Sequence, residues 1–200
     1  MLNITESNCW PDAYELIANG EIEKAIRVCE SEPCALLLEC QRFLGWRYYE
    51  KDDFEAALNW FGKAVEQGDA EAAFGVGSVY FVRRSFPAAA QYFKQAADGG
   101  YGRACHWLGY IYRQGLGVSR SDDAAVNWYK QGAAQGYLVA ERALMHLVWI
   151  RGGAIARIRT LPRYLYIVLK AAVIALRDIH DQRIVDIPNA FLKSPRKAQS

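Results

Sequence analysis

The sequence predicts an all-α fold, a solenoid of stacked helical hairpins, and three observations carry that prediction. Trp60-Phe61…Gly68, Tyr92-Phe93…Gly100 and Trp128-Tyr129…Gly136 each place an aromatic pair ahead of a run that ends in glycine, at offsets of 32 and 36 residues. Leu44-Gly45-x-x-Tyr48, Val76-Gly77-x-x-Tyr80 and Leu108-Gly109-x-x-Tyr112 superpose at an offset of 32. A fixed period in this range marks helical repeats that bury their apolar faces against one another. Within the unit Tyr101–Tyr137, Ala104, Leu108 and Ile111 share one face of a first helix, and Ala125, Trp128 and Tyr129 give a second helix its apolar stripe.

Taken in order, Pro11–Ala18 and Glu21–Glu30 flank Asn19-Gly20 and predict two short helices joined by a glycine turn. Residues 1–33 therefore read as a capping hairpin whose polar outer side protects the end of the stack. Ser31-Glu32-Pro33 starts the next helix, 34–50, and Asp52-x-x-Glu55 makes a start of the capping-box kind for 53–67, which Gly68-Asp69 closes. Helices 70–83 and 86–98 repeat the hairpin, with Pro87 tolerated in a first turn, and Gly99-Gly100 ends it. Gly115-Leu116-Gly117 breaks the helix that follows, Ser121 with Asp122 and Asp123 starts its partner, and Gly136 supplies a left-handed exit. Leu138–Ile150 begins as another first helix, but Met145 replaces the repeat glycine and Val148 the repeat tyrosine. Gly45, Gly77 and Gly109 sit in helix interiors, where glycine costs ~1 kcal/mol against alanine. Three such recurrences predict a neighbouring helix close to the backbone, and Ala57, Ala89 and Ala125 at the matching place predict that small residue meets small residue.

The pattern A-x-x-x-L-G-x-x-Y-x-x-G-x-G-V-x-x-x-x-x-x-A-x-x-W-Y-x-x-A-A-x-x-G resembles the Sel1-like repeat, a relative of the tetratricopeptide repeat. Residues 104–136 match it with Gly132 in place of the first alanine of the pair, and the copies at 40–68 and 72–100 lack the G-x-G-V turn. The resemblance implies a right-handed α/α solenoid of about three repeats over 34–150. It also implies an adaptor that binds other proteins, of the kind used in bacterial signalling or in envelope assembly, including exopolysaccharide machinery.

Two hundred residues, 52% of them hydrophobic, suffice for one domain with a sizeable core. The five cysteines (Cys9, Cys29, Cys34, Cys40, Cys105) form an odd set with no repeated spacing, and the N-terminal stretch lacks the basic start and long apolar run of a signal peptide. The expectation is a reduced, cytoplasmic protein. A secreted branch of the Sel1-like family carries a disulfide in each repeat, and no repeat here holds a cysteine pair at hairpin spacing.

The net charge of +2 hides an asymmetry: residues 1–150 sum to −5 and residues 151–200 to +7. Within 151–187, a basic and apolar helical segment, Tyr164–Leu176 is apolar except for Lys170 and falls short of the ~20 residues a membrane span needs. Arg159, Arg163, Lys170, Arg177 and Asp181 lie on one narrow stripe of that helix. Two readings stand. The helix packs on the last repeat or on a second subunit, which would make a homodimer; or 151–181 docks on an anionic membrane surface, peripheral at the inner membrane, with its basic side chains at the headgroups. Nucleic acid is disfavoured because the adjoining segment is far too apolar for a solvated groove. Residues 188–200 read as a disordered tail.

The sequence holds no constellation that points to chemistry. His106, His146 and His180 fall on different helices without a His-x-x-x-His or Cys-x-x-Cys pair, so neither a metal nor another cofactor is expected. Asp52-Asp53 and Asp122-Asp123 sit at helix starts, where capping explains them. Gly115-Leu116-Gly117 is too short for a phosphate cradle. The chain is expected to be a non-catalytic adaptor whose first helices line a concave binding face. Positions flanking each repeat glycine there are Phe43 and Trp46, Gly75 and Ser78, and Trp107 and Tyr110, with Arg103 and Gln114 at the rim. The aromatic members read either as anchors for an extended peptide or partner helix, or as rings that finish the core.

Overall fold

The computed structural model describes residues 9–177, with the backbone alone for 154–157 and 175–177. The expectations for the 188–200 tail, for Asp181 and His180, and for the Arg177 side chain lie outside the described residues. Among the described residues ten α-helices follow one another as sequential hairpins: α1 Cys9–Ala18, α2 Ile22–Glu30, α3 Leu38–Glu50, α4 Phe54–Glu66, α5 Ala70–Val82, α6 Phe86–Asp98, α7 Gly102–Gln114, α8 Asp122–Ala134, α9 Leu138–Arg151 and α10 Ala154–Arg177. A short 3-10 turn, Cys34–Leu36, precedes α3. Each helix packs on the next; α3 also touches α5 and α7 touches α9, so first helices lie beside first helices.

One helix ending recurs along the chain. After α4, α6 and α8 the glycines Gly68, Gly100 and Gly136 take φ of 83°, 87° and 81°. The amide that follows each glycine donates back to a carbonyl of the last turn: Asp69 to Ala64, Tyr101 to Ala96 and Tyr137 to Gly132. This is the Schellman arrangement, in which a left-handed residue satisfies carbonyls that the helix leaves unpaired. After α3 and α5 the left-handed position falls to Asp52 and Arg84, at φ 61° and 59°. Asp52 is thus the end of one helix, and Asp53 is the cap of the next, accepting from the Ala56 amide at 3.1 Å. The expected cap was one residue early. Ser121 caps α8 as expected, accepting from the Ala124 amide at 3.1 Å.

The repeat glycines make room for rings rather than for alanines. A Cβ added at Gly45 would sit 2.5 Å from Phe61 Cδ1, at Gly77 2.6 Å from Phe93 Cδ1, and at Gly109 2.4 Å from Tyr129 Cε1. Each of those rings is the second member of its hairpin's aromatic pair, and all three are buried. Ala57, Ala89 and Ala125 are buried as well, and the Ala89 carbonyl is among the nearest atoms to a repeat glycine, 3.3 Å from the Gly77 Cβ position. The nearest contact at each repeat glycine is thus a ring seated on a bare backbone, and at Gly77 the expected small-residue contact with Ala89 is present beside it. Phe61 is held twice, since a Cβ at Gly75 in the next hairpin would lie 2.6 Å from its Cε1. Gly132 has its own reason: a Cβ there would meet Ala140 Cβ at 2.8 Å and the Gly102 carbonyl at 3.0 Å.

The N-terminal hairpin differs from expectation in its chemistry. Cys9, at the start of α1, and Cys34, in the 3-10 turn, form a disulfide across 25 residues of sequence. The expectation of a fully reduced chain fails here because the bond joins two separate elements and so carries no repeat spacing. Tyr48 donates to Glu30, and Lys51 Nζ lies 3.0 Å from Glu23 Oε1, so α2 is also tied to α3 by polar contacts. At the other end, α10 packs on α9 through buried Ile167 and the Trp149–Tyr164 ring contact at 6.2 Å. It runs on through Pro162 as one helix of 24 residues. Among the described residues no helix is long and apolar enough to cross a membrane.

Two glycines inside helices test the ring contact. Gly62 of α4 meets nothing within 4 Å of its Cβ position. Gly62→Ala should raise stability by about 0.5–1 kcal/mol through helix propensity, whereas Gly109→Ala should lower it by about 1–3 kcal/mol by displacing Tyr129. Urea midpoints that move in the same direction for both would refute the assignment. Replacing Cys9 and Cys34 together by alanine should cost roughly 3 kcal/mol, the loop-closure value for a ring of this size. An unchanged unfolding midpoint would show that the bond does not form.

Candidate protein-binding face

The first helices bring together a mixed aromatic and charged surface. Trp46 on α3 donates its indole N–H to Glu71 Oε1 on α5 at 3.2 Å. Arg42, one turn earlier on α3, places Nη1 3.2 Å from Glu71 Oε2 and 3.5 Å from Asp69 Oδ2. Asp69 accepts from the Ala72 amide at 2.6 Å and so caps α5 while it meets Arg42. On α7, the Arg103 guanidinium lies 5.7 Å from the Phe74 ring centroid. Burial pushes the Tyr101 phenol up to about 12; Arg103 pulls against that, and the carboxylates of Glu71 and Asp69 add to it. Arg42, Asp69, Glu71, Tyr101 and Arg103 therefore share one neighbourhood where the first two repeats meet the third.

Beneath the charges runs a continuous series of rings. Trp46 packs edge-on against Phe61 at 5.0 Å and lies 6.2 Å from Phe74; Phe74 meets Phe93 at 5.3 Å; Phe93 stacks on Trp107 at 6.1 Å. Trp107 in turn meets Phe81 at 4.8 Å and Tyr110 at 5.8 Å. Edge and offset contacts at these separations are favourable for aromatic quadrupoles.

The residues named from sequence consequently divide. Trp46 and Trp107 are half-buried and belong to the ring series. Phe43 is half-buried under the N-terminal hairpin, with Trp10 at 6.2 Å and Arg47 over its ring. Tyr110, 37% exposed, and Gln114 are the members that reach solvent, toward the C-terminal end of α7, and half-buried Arg103 lies in the first turn of that helix, at its other end. Sequence reasoning missed Arg42, Glu71 and Asp69. The signal was present in the register of the repeats: Glu39, Glu71 and Arg103 occupy one position of the first helix at the 32-residue offset.

The carboxylate pairs have structural employment, with Asp53 as a cap and Asp123 paired to Arg151 at 2.7 Å. Among the described residues no group of three or more His, Cys, Asp or Glu side chains could hold a metal ion. His106 is buried and stacked on Tyr129 at 5.5 Å.

A second surface lies on α10. Ile158, Leu161, Leu165, Tyr166, Val168, Leu169 and Val173 are exposed, Ile158 to 72% and Leu169 to 64%. At 100° per residue these fall on the side of α10 opposite buried Ile167. Arg159, Arg163 and Lys170 lie along one border of that apolar side, and Arg163 meets Glu141 of α9 at 3.2 Å.

No curated protein matches the chain. Among solved structures, a Sel1 repeat protein from Oxalobacter formigenes is similar at 24% identity and a TM-score of 0.60, over 69% of this chain and 60% of that one. The protein c5321, a protective antigen present in uropathogenic Escherichia coli strains that displays an SLR fold, is similar at 19% identity and a TM-score of 0.72, over 84% of this chain and 38% of that one. MamA is similar at 22% identity and a TM-score of 0.59, over 80% of this chain and 96% of that one. These likenesses show the fold; the chain spans less than two thirds of the first two proteins. The Sel1 repeat family model matches residues 38–69, 70–101 and 102–137, three consecutive units that each begin at or next to the start of a first helix and cover half of the sequence. The chain belongs to the Sel1 repeat family, whose repeats generally serve protein interaction.

Proposed function

We propose that this protein is a non-catalytic adaptor that binds a peptide or a partner helix along the face of its first helices. The observation that carries this reading is the ring series from Trp46 to Tyr110, rigidly packed below and edged above by Arg42, Glu71 and Arg103. Aromatic platforms bordered by charge suit a segment that supplies an apolar side chain and a few hydrogen bonds. Tyr110 and Gln114 are the solvent-facing contacts toward the end of α7, and Arg103 borders the face at the start of that helix. Half-buried Trp46 and Trp107 form part of the platform itself, and Phe43 lies apart from it under the N-terminal hairpin.

The apolar side of α10 supports a second docking surface, an anionic membrane face met through 151–181. An amphipathic helix buries its apolar side at the headgroup boundary, and adjoining basic side chains add electrostatic attraction. Disulfides persist in oxidising compartments, so Cys9–Cys34 favours a location such as the periplasm over the cytoplasm. An accessory role in envelope assembly would place the solenoid at such a surface.

A photo-crosslinking residue placed at Tyr110 should trap a specific protein partner in the native host, and the same residue at Lys94 on α6 should not. Equal capture at both positions, or capture at Lys94 alone, would remove the first-helix face from consideration. For the second surface, the full chain should bind anionic vesicles, lose binding as salt rises, and lose it on Leu165→Glu with Leu169→Glu. A salt-independent dimer that ignores vesicles would assign the α10 face to a second copy.

A further inference from the structure

We propose that Cys29 and Cys40 form a second disulfide, so that both helices of the N-terminal hairpin are covalently fastened to the entry of the first repeat. Both lie with Cys9 and Cys34 in one buried cluster, packed among Ala13, Ile26, Val28 and Leu44, and none of the four is exposed to solvent. Cys29 is in the last turn of α2 and Cys40 in the first turn of α3. The existing bond ties α1 to the 3-10 turn and leaves α2 joined to α3 by side-chain contacts such as Tyr48 with Glu30.

The two thiols hydrogen-bond each other, which raises Cys29 and lowers Cys40 from the ordinary cysteine range, and burial raises Cys29 further. Either sulfur of the pair can attack first. When Cys40 leads, its thiolate cleaves the disulfide of a small-molecule or protein disulfide oxidant, forming a mixed disulfide and releasing one thiol. Cys29, giving up its proton, then attacks the Cys40 sulfur and releases the second thiol. Two protein thiols and one oxidant disulfide become one protein disulfide and two oxidant thiols. Since both sulfurs are enclosed in the folded protein, the exchange belongs to folding or to opening of the hairpin, and the closed cluster afterwards shields the product. Cys105, on α7 and hydrogen-bonded to Gln135 Oε1 at 3.6 Å, is then the single thiol left from the five, which accounts for the odd count.

The test is a thiol count on the full chain, oxidised with glutathione disulfide in mild urea and returned to buffer. The sample is then denatured in an alkylating reagent and mapped without reduction. The expected result is one alkylated cysteine, Cys105, and a peptide linking Cys29 to Cys40; Cys40→Ser should show two alkylated cysteines, Cys29 and Cys105. Three alkylated cysteines in the unsubstituted chain, or either residue found bonded to Cys9 or Cys34, would overturn the proposal. An unchanged far-ultraviolet circular dichroism spectrum confirms that the mapped material is folded.

Discussion

An aromatic ring resting on a glycine that has no side chain sets the geometry of every repeat. Phe61, Phe93 and Tyr129 each cover the first-helix glycine of their own hairpin at separations that leave no space for a Cβ. Glycine in a helix interior costs about 1 kcal/mol, and burying a full ring returns a few kcal/mol, so the contact is a net gain only while the ring stays seated. Phe61 extends the constraint between hairpins, because it lies against Gly45 of its own unit and Gly75 of the next. A lengthened side chain at any of these points must push helices apart along the stack, which makes the glycines the least replaceable positions in the solenoid.

The same packing underlies the binding face proposed for the first helices. Rings that fill the hairpins emerge at their upper edges as Trp46, Trp107 and Tyr110, so the platform a partner would meet is the top of the core itself. Its rotamers are locked by neighbours, and a rigid surface loses little side-chain entropy when a segment docks on it. Arg42 and Glu71 serve both purposes. They brace α3 against α5 and remain only partly covered, which leaves charge at the border of an apolar strip.

How much of this was legible in the sequence depends on whether a feature repeats. The glycines, the aromatic pairs, the left-handed exits and the Ser121 cap recur or follow local rules, and they define the hairpins and the family before any coordinates are consulted. Features that join unlike elements leave no such trace. Cys9 and Cys34 meet only because α1 folds back over the 3-10 turn, and Phe43 is covered only because Trp10 arrives from the N-terminal hairpin. Asp52 and Asp53 show the limit of local rules: both are good capping residues, and the left-handed ending of α3 decides which one caps. For the binding face, sequence spacing singled out aromatic residues by position, but it could not separate rings that finish the core from rings that reach solvent. Phe81 meets both Tyr110 and Trp107, and Trp107 has Phe93 stacked on it in addition.

A solenoid must cover the apolar face of its first and last units, and the two ends of this chain meet that demand differently. At the N-terminal end, α1 and α2 close over Leu44 and Phe43 with a disulfide and a set of polar ties to α3. At the other end the repeat residues lapse at Met145 and Val148, and α10 buries one side on α9 while its opposite side stays apolar and open. Exposed apolar patches of this extent are uncommon on isolated soluble proteins and mark interaction sites. The N-terminal hairpin is thus fastened to α3, whereas α10 leaves apolar side chains exposed. The basic side chains along the border of that apolar side are the reason the proposed membrane docking is assigned to α10 rather than to the repeats.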